Sequence, residues 1–163
     1  MKINSFMTMM VTAVAVVMGM CSCGSDDNEP EAAVATQVAG TYEGNEVIMV
    51  MGEESSNDTK TYAFAKVSDT SIDMTIPEMG MGGMMTIPAL IVKNIPLTKS
   101  DNTVTGKLTT YSGTVKNASG DDKAFTLSDI TVIFSDKTVV VKFSLKYGAM
   151  PMSMDTTFAG TKK

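Results

Sequence analysis

The chain predicts an all-β fold: one eight-stranded antiparallel up-and-down barrel that follows a signal peptide and a flexible acidic tether. Three observations lead there. From Val38 onward, short segments rich in Val, Ile, Thr, Phe and Tyr are separated by Gly, Asn, Asp and Ser at regular intervals, the pattern of an antiparallel sandwich or barrel. Beyond the N-terminus no window carries a sustained helical apolar stripe, apart from a possible short turn over 31–38, and no β-α-β alternation calls for a parallel sheet. Eight such segments with hairpin-length connections can close on themselves and remove the edges that an open sheet must protect.

The first element is not part of the fold. Lys2, an apolar stretch from Phe6 to Met20, and then Cys21, Ser22 and Cys23 have the anatomy of a secretory signal peptide. A membrane-spanning helix needs about 20 apolar residues, and this stretch is shorter and lacks a basic flank after it. The segment Met20-Cys21-Ser22-Cys23 resembles the box that precedes the lipidated cysteine of bacterial lipoproteins. Small Ser22 favours Cys23 as the lipid-bearing residue over Cys21, which follows the larger Met20. The expected organisation is a lipoprotein signal over 1–22, lipidated Cys23 and a linker over 23–37, and a barrel over 38–163. The polar run from Gly24 to Glu31 is too hydrophilic to pack. It resembles the acidic export signal of surface lipoproteins in the Bacteroidetes, and a plain solvated linker on the periplasmic side fits the same residues. Either way the expected location is the cell envelope, with the outer membrane held through a lipid anchor.

The strands follow in order at 41–51, 59–67, 70–76, 85–95 and 103–115, with connections at 52–58, 68–69, 77–84 and 96–102. In the next, Phe125 and Leu127 share one parity and Ile130, Val132 and Phe134 the other, so the phase slips near Ser128-Asp129 as a β-bulge would make it. Ser135-Asp136-Lys137 then turns into the clearest strand, 138–147. There Val139, Val141, Phe143, Leu145 and Tyr147 face one way, and Lys142 and Lys146 the other. A hairpin through Gly148-Ala149 leads to the last strand, with Met152, Met154 and Phe158 alternating with Ser153, Asp155 and Thr157.

Two motifs bracket this region: Val38-Ala39-Gly40-Thr41-Tyr42-Glu43-Gly44 leads the first strand and Phe158-Ala159-Gly160-Thr161-Lys162 ends the last. With them the chain resembles the small calycin-like lipoproteins of Bacteroidetes, over roughly residues 37 to 162. The resemblance implies a lipocalin- or avidin-like barrel. Lipocalins open their first strand with Gly-x-Trp and cover the indole with an arginine of the last strand. By that likeness Gly40 and Tyr42 are the barrel-closing motif, and Lys162 is the cation available to lie over the Tyr42 ring.

Composition narrows the function. Removing residues 1–22 takes away one lysine and no acid, which leaves 12 lysines against 18 acidic residues and a formal charge of −6. An acidic domain is repelled by nucleic acid, so none is expected as partner. No arginine is present, so the bidentate fork for phosphate or carboxylate is missing. The absence of histidine removes the commonest general base and zinc ligand. Both cysteines lie at the lipidation box, and neither a G-x-S-x-G elbow nor an apolar-embedded carboxylate pair occurs. The expectation is a non-enzymatic protein with no catalytic residue, cofactor or resident metal.

Ten of the sixteen methionines lie beyond Cys23. Met79, Met81, Met84 and Met85 cluster in a glycine-rich segment, and Met152 and Met154 sit on the last predicted strand. These six are the candidate ligand- or partner-binding residues, as an adaptable apolar rim of the kind methionine builds. The glycine-rich segment reads equally well as a plug folded across one barrel end. Met-x-Met spacing and soft thioethers also admit a third reading, Cu(I) or Ag(I) sequestration. The leading expectation is an envelope-anchored binding protein that holds a small apolar ligand or presents loops to a partner. The alternative is an accessory subunit of a surface complex with a filled barrel. Asp155-Thr156-Thr157 resembles an acceptor motif for O-glycosylation in Bacteroidetes, on three common residues.

Overall fold

Period-two alternation builds the structure. The computed structural model describes residues 33–81 and 85–163; the signal segment, Cys23 and Met84 lie outside them. A short helix, α1 (Val34–Val38), leads into β1 (Gly40–Val50), β2 (Glu53–Ser68) and β3 (Ser71–Ile76). Two three-residue strands follow, β4 (Met79–Met81) and β5 (Met85–Ile87). Then come β6 (Leu90–Ser100), β7 (Thr103–Lys116), β8 (Asp122–Ser135), β9 (Thr138–Tyr147) and β10 (Met154–Lys162). The long strands form a closed antiparallel barrel in the order β1-β10-β9-β8-β7-β6-β3-β2, and β4 and β5 pair as a separate small sheet. The fold is therefore all-β, an eight-stranded up-and-down barrel, as its pattern predicts.

On β9, all five residues of the predicted inner face are buried and Lys142 and Lys146 are exposed. On β8, Phe125, Leu127, Ile130, Val132 and Phe134 are all buried although their parity changes. The change is a bulge: the β8–β9 register shifts between Ser128 and Thr131, and Asp129 takes φ 54°. The extra residue turns the chain so that apolar side chains on both sides of it face inward.

Four boundaries differ from the sequence expectation. The 52–58 connection contracts to a turn at Met51 and Gly52, both left-handed at φ 54° and 85°, the geometry that matches the twist of paired strands. The polar residues that follow belong to β2 because they pair with β1 while exposed to solvent, which hides the strand from a hydropathy reading. The predicted strand 85–95 divides at Pro88-Ala89, and its second part runs on through Pro96 to Ser100. Proline is accepted there beside a bulge, where Asn94 has φ 57° and its N–H donates to Asp73 Oδ1 at 2.8 Å. At the other end, β10 begins at Met154, and Met152 lies in the 148–153 connection with Pro151, which has no N–H to give a ladder. Finally, the predicted linker gives way to α1 before residue 38, because Ala35 packs fully into the core and its N–H donates to Asp69 O at 3.1 Å.

The seam where the first and last strands meet is unusually close. Gly44 pairs with Gly160. A Cβ on Gly44 would overlap Ala159 O and Gly160 Cα, and one on Gly160 would stand 3.1 Å from Glu43 O. The Phe158 ring stands closest to Gly160, whereas Gly44 faces main chain, which has nowhere to move aside. Gly44→Ala is expected to lower stability by about 3 kcal/mol, the upper end of overpacking costs. Gly52→Ala, with open space around it, should pay only the left-handed backbone strain of about 1–2 kcal/mol. Urea unfolding of the two variants checks the order, and equal losses would refute it.

Candidate functional site

Turns place the barrel's two ends. Helix α1 and the turns at 69–70, 101–102 and 136–137 lie at one end, called here the helix end. The turn at 51–52 and the segments 77–89, 117–121 and 148–153 lie at the other, the hairpin end.

The helix end is closed by the residues of the Gly-x-Tyr motif. Gly40 has φ 140°, and a Cβ there would stand 2.8 Å from Lys162 Cε. That φ favours glycine, and a side chain there would also push the end of the lysine stem aside. Lys162 Nζ then donates to Gln37 O at 3.0 Å and lies 5.9 Å from the centroid of the Tyr42 ring, within cation–π range. Tyr42 is fully buried, its hydroxyl donates to Val38 O at 3.0 Å, and its ring meets Phe64 at 87° and Phe134 at 54°. Phe64 and Phe134 complete the floor with centroids 5.0 Å apart.

Above the floor, large apolar side chains converge on the interior. Val139, Val141, Phe143 and Leu145 reach it from β9, Ile72, Met74 and Ile76 from β3, and Phe158 stacks on Tyr62 at 4.1 Å. One charged group is buried among them. Glu46 is 1 % exposed, and its Oε2 accepts from the Tyr62 hydroxyl at 2.6 Å. Burial pushes the Glu46 carboxyl up, opposed by the Tyr62 hydrogen bond and the charge of Lys60. The Tyr62 hydroxyl rises well above its ordinary value, through burial first and then the Glu46 charge. Glu46 Oε1, Thr156 Oγ1 and Ser56 Oγ are buried without a partner. Ser56 and Thr156 both pair with Ile48, two residues along β1 from Glu46, so the three share the interior face toward the hairpin end. Thr156 of the glycosylation-like motif is thus an interior side chain. Sequence reasoning passed over Glu46, although Tyr42, Gly44, Glu46 and Ile48 share one parity.

The six candidate methionines separate. Met79 is fully buried and joins the core, and Met81 and Met85 are half-buried against it. The segment is a hairpin in which Met79 pairs with Ile87 and Met81 with Met85, tied to β2 by Lys60 Nζ donating to Glu78 O at 2.7 Å. Its described residues pack inward, as those of a plug would. Met154 is buried as the first residue of β10, whereas Met152 is 40 % exposed in the preceding connection. Of the four Met-x-Met pairs beyond Cys23, only Met79 and Met81 lie within one strand; Met51 is in a turn, and Met150 and Met152 precede β10. The turn near Gly120 is organised by Asn117, whose Oδ1 accepts from the N–H groups of Ser119 and Asp121.

The barrel opens on its flank. β6 and β7 pair only from Leu97–Gly106 to Ser100–Thr103. Beyond that, β6 from Leu90 pairs with β3 alone, and β7 to Lys116 pairs with β8 alone, among the described residues. Between the parted strands lies a cleft of about 370 Å³ lined by Ala89, Leu90, Ile91 and Lys93 on one side and Tyr111, Gly113, Thr114, Val115 and Phe125 on the other. Gly113 lies directly over the Phe125 ring, where a Cβ would stand 2.8 Å from Cζ. Ile91 on the lip is 49 % exposed. The parting shows in the burial of β7, where no residue after Gly106 is fully buried.

Residues 38–161 match the family described as a calycin-like beta-barrel domain. No curated protein matches the chain. Among solved structures, the fold is similar to a candidate outer membrane protein of Bacteroides fragilis, with a TM-score of 0.62 at 20 % identity, covering 80 % of this chain and 53 % of that one. The chain therefore spans about half the length of that protein, and the likeness is one of fold.

The buried carboxyl has a pH signature. A folded-state pKa raised above 4.5 means that the native state holds a proton the unfolded chain has released. This contribution to stability is complete below pH 4.5 and is lost as pH rises through the folded value. Glu46→Gln should remove that fall, so the variant gains on the parent protein as pH rises above 4.5. Urea midpoints across that range measure it; a constant difference would show that Glu46 does not titrate there.

Proposed function

Because the chain belongs to the calycin-like β-barrel family, we propose that it is a non-enzymatic binding protein, tethered by a lipid on Cys23 at the outer membrane, that engages its partner through the flank between β6 and β7. The observation that carries the reading is the contrast between a packed interior and an open flank. A barrel holding an apolar ligand needs interior volume, and here Phe143, Phe158, Tyr62 and the methionine hairpin occupy it. The parted strands instead offer a cleft with apolar walls and an exposed Ile91 at its lip, the kind of surface that marks contact sites. The signal-like N-terminus with Cys23 supports the envelope location, and the outer-membrane description of the Bacteroides fragilis protein accords with it. In this role the domain serves as an accessory subunit whose partner carries the chemistry. Soft-metal sequestration has less support, since Met79 is spent in the core and Met152 stands apart from the hairpin.

Two measurements test this. A photoreactive residue at position 91, introduced in the native organism, should crosslink to a specific envelope protein, whereas one at Ile133, also exposed but on β8, should not. Native mass spectrometry of the protein released from its own envelope should show the lipidated polypeptide without interior cargo. A bound organic mass retained at position-91 variants and lost on unfolding would move the site to the interior and overturn the flank. Cys23→Ser should abolish incorporation of labelled fatty acid; persistence of label would transfer the anchor to Cys21.

A further inference from the structure

We propose that the β6–β7 flank takes up an extended polypeptide segment as an added strand, hydrogen-bonded to the free edge of β7. This rests on the binding reading above and names the class of partner. Both lips of the cleft are strand edges. Between Lys107 and Lys116, β7 satisfies β8 on one side, and the backbone groups directed the other way have no partner strand among the described residues. The facing part of β6 is bonded to β3 in the same one-sided manner. An unpaired edge is a template for a further strand, which would lie about 4.8 Å from β7.

The side chains fit such an occupant better than a lipid. A lipid covers the apolar wall of Leu90, Tyr111, Val115 and Phe125 but leaves the backbone donors and acceptors unmatched. At the middle of the wall Gly113 carries no side chain and the Phe125 ring packs against it, so Phe125 forms the apolar surface there. Lys93 is the one charged side chain lining the cleft, in a chain of net charge −5. The occupant is therefore a segment with alternate apolar residues and an acidic side chain opposite Lys93. A second copy of this chain fits poorly, because antiparallel self-pairing centred on the free edge places Lys107 of one copy opposite Lys116 of the other, and like charges directly opposed are destabilising.

The test uses the full-length protein in detergent and a synthetic decapeptide of alternating valine and threonine with one central glutamate. Its control is the same peptide with alternate backbone amides N-methylated, which keeps the side chains and removes the hydrogen bonds. The parent peptide should slow amide exchange in segments 90–96 and 107–116 at least tenfold, and N-methylation should weaken binding by more than about tenfold, as the loss of several hydrogen bonds requires. Lys93→Glu should weaken the glutamate peptide roughly two- to fivefold and favour a lysine-bearing one. Equal binding of parent and N-methylated peptides would reduce the site to apolar docking and overturn strand addition, as would no binding of either. Protection of 107–116 that grows with protein concentration in the absence of peptide would make a second copy the occupant and overturn it as well. Crosslinking at position 91 combined with any of these failures leaves the binding role standing and removes only the strand.

Discussion

The barrel exists because its first and last strands can approach each other with nothing between their backbones. Gly44 and Gly160 face one another across that seam; a Cβ on Gly44 would strike the β10 main chain and one on Gly160 the Phe158 ring. The seam continues to the helix end, where Gly40 admits the stem of Lys162, and Lys162 in turn holds Gln37 and covers Tyr42. From that contact the floor of Tyr42, Phe64 and Phe134 follows, and α1 is fixed over it through the Tyr42 hydroxyl. The C-terminal residues add to the same joint: the N–H of Lys163 donates to Thr41 O, and its ammonium pairs with Glu43.

Closure at one end leaves freedom at the other. β6 and β7 stay together only near the helix end and separate toward the hairpin end. The bulges at Asp129 and Asn94 bend strands on either side of that separation. The cleft that results is walled by Leu90 of β6 and by Tyr111, Val115 and Phe125, with Ile91 on the outer face of β6 at its lip. The methionine hairpin does the complementary task at the barrel mouth, driving Met79 and Ile87 into the core. A flexible, unbranched side chain suits that irregular space.

Much of this was legible in the sequence because one wet face leaves a period-two record. β9 and the bulged β8 were readable residue by residue, down to the phase slip at Ser128-Asp129, since every inward residue there is large and apolar. The start of β2 was not, because its polar residues pair with β1 without facing a core, and polarity alone reads as loop. Glu46 broke the expected rule that inward positions are apolar, and its parity was the only trace of it. For Met152 the alternation was present but Pro151 ended the ladder first. The parted flank left almost no trace, because strand pairing is a relation between distant segments, and a strand without a neighbour has the same local sequence as one with it.

The pairing of β1 with β10 also bears on how the chain reaches its fold. Tyr42 opposes Lys162, so the contact that completes the barrel joins residues at nearly opposite ends of the domain. Without β10, β1 and β9 would each present an unpaired edge. High contact order of this kind makes folding slow and leaves intermediates exposed to association. Because β10 is the one neighbour that β1 and β9 share, losing its pairing would open the whole ring instead of fraying one corner of it.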